Sequence, residues 1–177
     1  MFSLTKNTPS GLHIFVPPHM KVAQPVVNEN DIFKEAKEIS NGMLEDTFLY
    51  PNTLWKEAIA IAQPQVSGRP LRYFVINPKF KDLIAEFGGQ VIVNPHLDYK
   101  DKLSKFMFKD ACMSYPLRPV IKVKRYSRIT ASYDIIVSLK ADKPEIKKFK
   151  EKQLTELAAL VFQHELEHLN GKSLFDR

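Results

Sequence analysis

The chain has a single cysteine, Cys112. No internal disulfide can form, so a reducing compartment, the cytoplasm, is expected. Long apolar runs are also missing: none approaches the roughly 20 residues that cross a bilayer, and no membrane association is expected. The first 28 residues contain neither Asp nor Glu, a gap that would suit a transit peptide. They also lack arginine and carry several prolines, so they read as part of the fold. Repeats, low-complexity stretches, zinc-finger spacings, RNA-binding motifs and glycine-rich phosphate loops are absent. A specific nucleic-acid partner is therefore not expected, although the net charge is +6 and the pI near 9.3. Lys143, Lys147, Lys148, Lys150 and Lys152 are interspersed with Asp142, Glu145 and Glu151, the pattern of a mixed solvated surface. A basic RNA-binding module is the rival from another class, and metal-free, salt-dependent RNA binding would be its mark.

What is present suits one domain spanning residues 1–177, with an ordinary hydrophobic fraction of 44%. Ile32, Phe33, Ala36, Ile39 and Met43 share one side of a helix over Asp31–Leu44, with Asn28 or Asn30 as cap and Gly42 as terminator. A long connection through Tyr50-Pro51-Asn52 follows. Strands are expected at Arg72–Ile76, Gln90–Val93, Val120–Tyr126 and Arg128–Leu139. Lys140–Lys152 reads as a charged linker, and Glu151–Asn170 as a second helix stopped by Gly171. A short helix, then strands, then a long helix against them argues an α+β fold with antiparallel pairing.

The long helix carries His164-Glu165-Leu166-Glu167-His168. Two histidines four apart project from one helical face, so both imidazoles can reach one metal ion. Glu165 beside the first can act as general base on a water that the ion acidifies. The stripe Leu157, Val161 continues into His164 and His168, which puts the histidines on the buried side. A third protein ligand is needed. Leu174 stands where a metzincin has its third histidine, and the chain stops at Arg177, so the ligand is expected upstream. His13, His19, His96, an upstream carboxylate and Cys112 are the candidates. A thiolate beside two imidazoles would leave a fourth position open, as in catalytic sites.

Three ordered segments resemble the motifs GxGxAAxQ, EGCxS and HExDH of the peptide deformylases. They are Ala58-Ile59-Ala60-Ile61-Ala62-Gln63-Pro64-Gln65, Asp110-Ala111-Cys112-Met113-Ser114 and His164-Glu165-Leu166-Glu167-His168. Gln163 before the third, and Leu169-Asn170-Gly171 with Leu174-Phe175-Asp176 after it, are also similar. Val16-Pro17-Pro18 through Gln24-Pro25-Val26 resembles the family's N-terminal segment, and Val91-Ile92-Val93-Asn94-Pro95 its strand before the cysteine motif. The departures are Ala58, Ala60 and Ala111 for glycines, Gln63 for alanine, Asp110 for glutamate and Glu167 for aspartate. Added methyl groups could narrow the substrate groove.

The resemblance implies antiparallel sheets packed around a central motif helix. It selects Cys112, His164 and His168 as ligands of one divalent ion, with Fe2+ as the native metal and Zn2+, Ni2+ or Co2+ able to replace it. It makes Glu165 the general base and assigns oxyanion stabilisation to the Gln65 side chain and the Met113 backbone N–H. Ile59 and Ala60 would pair with the peptide, and Leu160 and Val161 would receive a methionine side chain. The implied reaction removes the formyl group from N-formylmethionyl nascent peptides, releasing formate. The alternative is a metal-binding relic without that activity. A monomer is expected, with the ribosome surface as a further partner. The short form, ending just after the third motif, resembles those carried by some bacteriophages, so the cell is bacterial or a phage host.

Overall fold

The computed structural model describes residues 21–44, 58–66, 69–112, 114 and 120–174. His13, His19, Met113, the Tyr50-Pro51-Asn52 connection, the Val16-Pro17-Pro18 stretch and Phe175-Asp176 lie outside the described residues.

The first helix, α1, spans Asn30–Leu44. Its entry is held by Asn28, whose side-chain oxygen accepts the Asn30 backbone N–H at 3.1 Å. Gly42 does not end the helix; it is buried within its last turn. Then come β1 (Ala60–Ala62), β2 (Tyr73–Ile76), a short helix α2 (Lys81–Phe87), β3 (Val91–Lys100), β4 (Lys105–Asp110), β5 (Ile121–Tyr126), β6 (Arg128–Ile136), β7 (Ile146–Thr155) and α3 (Glu156–Leu169). Five strands form an antiparallel sheet in the order β1-β2-β3-β6-β7, and β4 pairs with β5 alone.

Both faces of the larger sheet are covered, which is why β2 is buried at every position. Strand alternation sends Tyr73, Val75, Val91, Val93 and Ile136 to the face that packs on Ile32, Phe33, Ala36 and Ile39 of α1. Phe74, Ile76, Ile92 and Ile135 point the other way, toward Ala158, Ala159 and Phe162 of α3. There Phe74, Phe87, Tyr133 and Phe162 form an aromatic cluster, with Phe74 and Phe162 meeting edge to face at 6.3 Å. The β4–β5 ribbon lies against α3 as well: Gln163 donates to the Tyr126 carbonyl at 2.7 Å and accepts its N–H at 3.1 Å. The motif helix is thus packed between the large sheet and the small one, as its resemblance implies.

The expected linker over Lys140–Lys152 is instead largely strand β7, and the helix begins at Glu156 rather than Glu151. β7 is an edge strand with few inward apolar residues. Ile146 covers one face of the sheet, Phe149 and Leu154 the other, and an extra residue near Glu151 (φ 50°) interrupts the register. A two-residue period was therefore invisible. The outer half of β3, where bulges also break the alternation, was missed for the same reason, and α2, of seven residues, is too short to show a helical period.

Candidate functional site

Cys112 follows β4, and His164 and His168 lie one turn apart on α3. Cys112 Sγ is 3.1 Å from His168 Nε2, and the two Nε2 atoms are 3.1 Å apart. All three donor atoms lie within 4.8 Å of one another, a set that could hold one metal ion. One thiolate and two imidazoles fit a borderline or soft divalent transition metal better than magnesium or calcium. His96 is not part of the cluster: it is exposed on β3 and 3.7 Å from Asp98.

Each imidazole is oriented by a partner on its other nitrogen. Asp110 Oδ1 lies 3.0 Å from His164 Nδ1. The Lys172 carbonyl lies 3.0 Å from His168 Nδ1. That carbonyl is delivered by the helix stop: Gly171, at φ 71°, turns the chain so that the Lys172 N–H reaches the Glu167 carbonyl at 2.9 Å. With both Nδ1 atoms engaged as donors, both Nε2 lone pairs face the same point.

Asp110 is itself held by Arg125, a buried guanidinium on β5. Arg125 Nη2 donates to Asp110 Oδ2 and to Glu167 Oε2, each at 2.9 Å. The two acidic departures from the motifs therefore share one cation. Burial pushes the Asp110 carboxyl up, but His164 and Arg125 outweigh it and hold it down at about 2. Burial likewise pushes the Cys112 thiol up, while His168 and His164 bring it down to about 5. His164 and His168 are disfavoured as cations by burial, yet Asp110 on the first and Cys112 on the second leave both raised.

Glu165 is 4% exposed and its Oε2 has no hydrogen-bond partner. Burial raises its pKa, and the neighbouring histidines offset only part of that. An unpartnered carboxylate oxygen buried beside three metal-type donors is a place for a polar ligand or water. Gln65 sits in the short 3₁₀ turn Gln63–Gln65 after β1. Its carbonyl oxygen accepts the Ala62 N–H at 2.8 Å, so its amide N–H2 turns to Ser114 Oγ at 3.0 Å and toward Cys112 Sγ at 3.9 Å. Gln63, where the motif has alanine, is also buried. It spans the Leu71 N–H and the Arg69 carbonyl, each at 2.7 Å, and so fixes the loop after the turn.

A cavity of about 200 Å³ opens over these groups. Ile59, Ala60, Leu160 and Val161 line it, together with Ala58, Phe108, Ala111 and Leu157. Leu157, assigned by spacing to the core stripe, is 40% exposed and stands in the cavity wall instead. Ala58, Ala60 and Ala111 all add methyl groups to that wall, and neither Ala60 nor Ala111 has a left-handed φ, so alanine is accommodated at those two positions without backbone strain. Arg125 was missed by the sequence reading; it stands among lysines in β5, and only strand alternation separates it from them.

A catalytic-type Cys/His/His cluster with the HExxH glutamate, carried on a helix between antiparallel sheets, defines a metallohydrolase centre. Comparison with known proteins narrows the class. The family model for polypeptide deformylase matches residues 16–177. Curated peptide deformylases from Thermotoga sp. (strain RQ2) and Aquifex aeolicus are 28% and 27% identical, over 94% and 93% of this chain and 85% of each relative. The crystal structure of peptide deformylase from Thermotoga maritima aligns with a TM-score of 0.61 at 26% identity, covering 94% of this chain and 96% of the other. For the fold alone, a Plasmodium falciparum peptide deformylase complex with inhibitor gives a TM-score of 0.64 at 22% identity, over 92% of this chain and 86% of that one. The chain belongs to the polypeptide deformylase family.

Proposed function

We propose that this chain hydrolyses the formamide bond of N-formylmethionyl nascent peptides, releasing formate and a free amino terminus. The observation that carries the reading is the buried Glu165, with an unpartnered Oε2, beside Cys112, His164 and His168 at the floor of an apolar cavity. Cys112, His164 and His168 would hold one divalent ion, Fe2+ natively with Zn2+, Ni2+ or Co2+ as substitutes, which would supply Lewis-acid chemistry toward the formyl carbonyl and an attacking water. Glu165 takes the proton from the attacking water and returns it to the departing amine. Its raised pKa suits both halves of that transfer. The Gln65 amide N–H and the Met113 backbone N–H stabilise the charge that develops on the formyl oxygen.

Ala60 opens β1 at the edge of the large sheet, with Ile59 just before it, and among the described residues β4 pairs only with β5, which leaves its other edge free. Both edges contribute to the cavity wall. An extended peptide paired between them would bring its first side chain to Leu160 and Val161. The enzyme works as a cytoplasmic monomer of one domain and meets its substrates at the ribosome surface. Among the described residues, no helix is long and apolar enough to cross a membrane.

The test is formate release from a formyl-Met peptide by protein purified without oxygen, together with Glu165→Gln. The amide keeps the shape but cannot accept a proton, so the variant retains its metal and loses roughly 10²–10⁴-fold in kcat. Unchanged turnover would remove Glu165 from the mechanism.

A further inference from the structure

One face of the β4–β5 ribbon is basic without compensation. Strand alternation turns Lys105, Met107 and Lys109 of β4 and Lys122 and Lys124 of β5 to the same side, and all five are exposed. Lys109 stands directly opposite Lys122. Like charges at opposed positions destabilise a ribbon. Elsewhere the chain avoids this: on the β6–β7 edge, Lys147 lies 3.3 Å from Glu145 and Lys148 3.5 Å from Asp134. Among the described residues no carboxylate pairs with Lys105, Lys109, Lys122 or Lys124; Lys105 contacts only the Tyr126 ring, at 5.4 Å. The face begins at the catalytic cavity, because Lys109 is part of its wall. It runs outward for roughly 13 Å to Lys105, at about 3.3 Å per residue.

We propose that this lysine face selects substrates by charge, favouring peptides with acidic residues just after the formyl-methionine. The inference rests on the deformylase reading, in which the peptide pairs with the free edge of β4. A strand added there continues the ribbon, so its alternate side chains fall on the lysine side, next to Lys109, Met107 and Lys105. Asp or Glu at those positions relieves the Lys109–Lys122 opposition, and Lys or Arg aggravates it. A peptide is favoured over a nucleic acid because the basic surface is continuous with the cavity that the substrate must enter.

The experiment compares metal-loaded wild-type protein with the Lys105→Glu/Lys122→Glu/Lys124→Glu variant. The substrates are formyl-Met peptides followed by three aspartates, three alanines or three lysines. At low salt the wild type should prefer the aspartate tail over the lysine tail by roughly tenfold in kcat/KM, the sum of a few cross-strand charge pairs. High salt should collapse the ratio, and the variant should invert it, each charged tail being read against the alanine peptide on the same protein. Equal rates for all tails, or a ratio untouched by the three substitutions, overturns the proposal. So does binding of poly(U) that the substitutions abolish while peptide tails make no difference. Anisotropy of the same peptides, labelled and unformylated, reads the preference without turnover. If the alanine peptide yields no formate, the deformylase reading fails, yet tighter binding of the aspartate tail still sustains the charge selection and indifference overturns it.

Discussion

Arg125 is gripped by two carboxylates, Asp110 and Glu167, and both differ by one methylene from the residues at those motif positions. One is shorter by that methylene and the other longer, so their combined reach across the guanidinium is conserved. The exchange matters because Asp110 also orients His164. Removing one partner of a buried ion pair strands charge, and adding a methylene to a packed site forces neighbours aside. Asp110→Glu and Glu167→Asp should each destabilise the protein by about 1–3 kcal/mol and weaken metal binding. The double exchange should restore most of both losses. Urea unfolding and metal titration of the four proteins form the cycle, and strict additivity would show that the two positions act independently.

At the scale of elements, the end of α3 is part of the site. Gly171 adopts φ 71°, and a Cβ there would lie 3.1 Å from the Val22 backbone nitrogen. Gly171→Ala should cost about 1–2 kcal/mol in left-handed strain. By displacing the Lys172 carbonyl from His168 Nδ1, it should also lower metal affinity roughly 10–100-fold. Loss of stability with unchanged affinity would separate the helix stop from the ligand it orients. Elements with a regular period were legible in the sequence: α1, β2, β5 and β6 fall within a few residues of expectation, and Gly171 ends α3 as read. β7 was not, because its apolar residues are divided between two faces by a bulge. Among site residues, the spacing of His164 and His168 identified itself, whereas Cys112 could be chosen over His96 only by resemblance. The Arg125 linkage was hidden because it joins residues that are far apart in sequence.

Across the whole molecule, the metal donors come from two elements: Cys112 follows β4 of the ribbon, and α3 gives both histidines. Binding an ion should therefore clamp the ribbon to the core. At a hundredfold excess over Kd the gain is about 2.7 kcal/mol. Chelation should lower Tm accordingly, and Cys112→Ala should abolish the difference between metal-loaded and chelated protein. A Cys112→Ala protein with full metal content and an unchanged Tm gain would transfer the third ligand to another residue.

The same arrangement governs how the chain folds. Gln65 and Ser114 are separated by 49 residues, and Cys112 and His168 by 56, so closing these contacts costs chain entropy before any is repaid. Among the described residues α3 follows all seven strands, and Phe162, which completes the aromatic cluster on the sheet, rides on the same helix as His164, Glu165 and His168. Until that helix docks, Phe74 and Ile92 are covered on their face of the sheet only in part, by Leu83 and Phe87 of α2. Completion of this face of the core and assembly of the catalytic groups should therefore coincide, because both wait for α3.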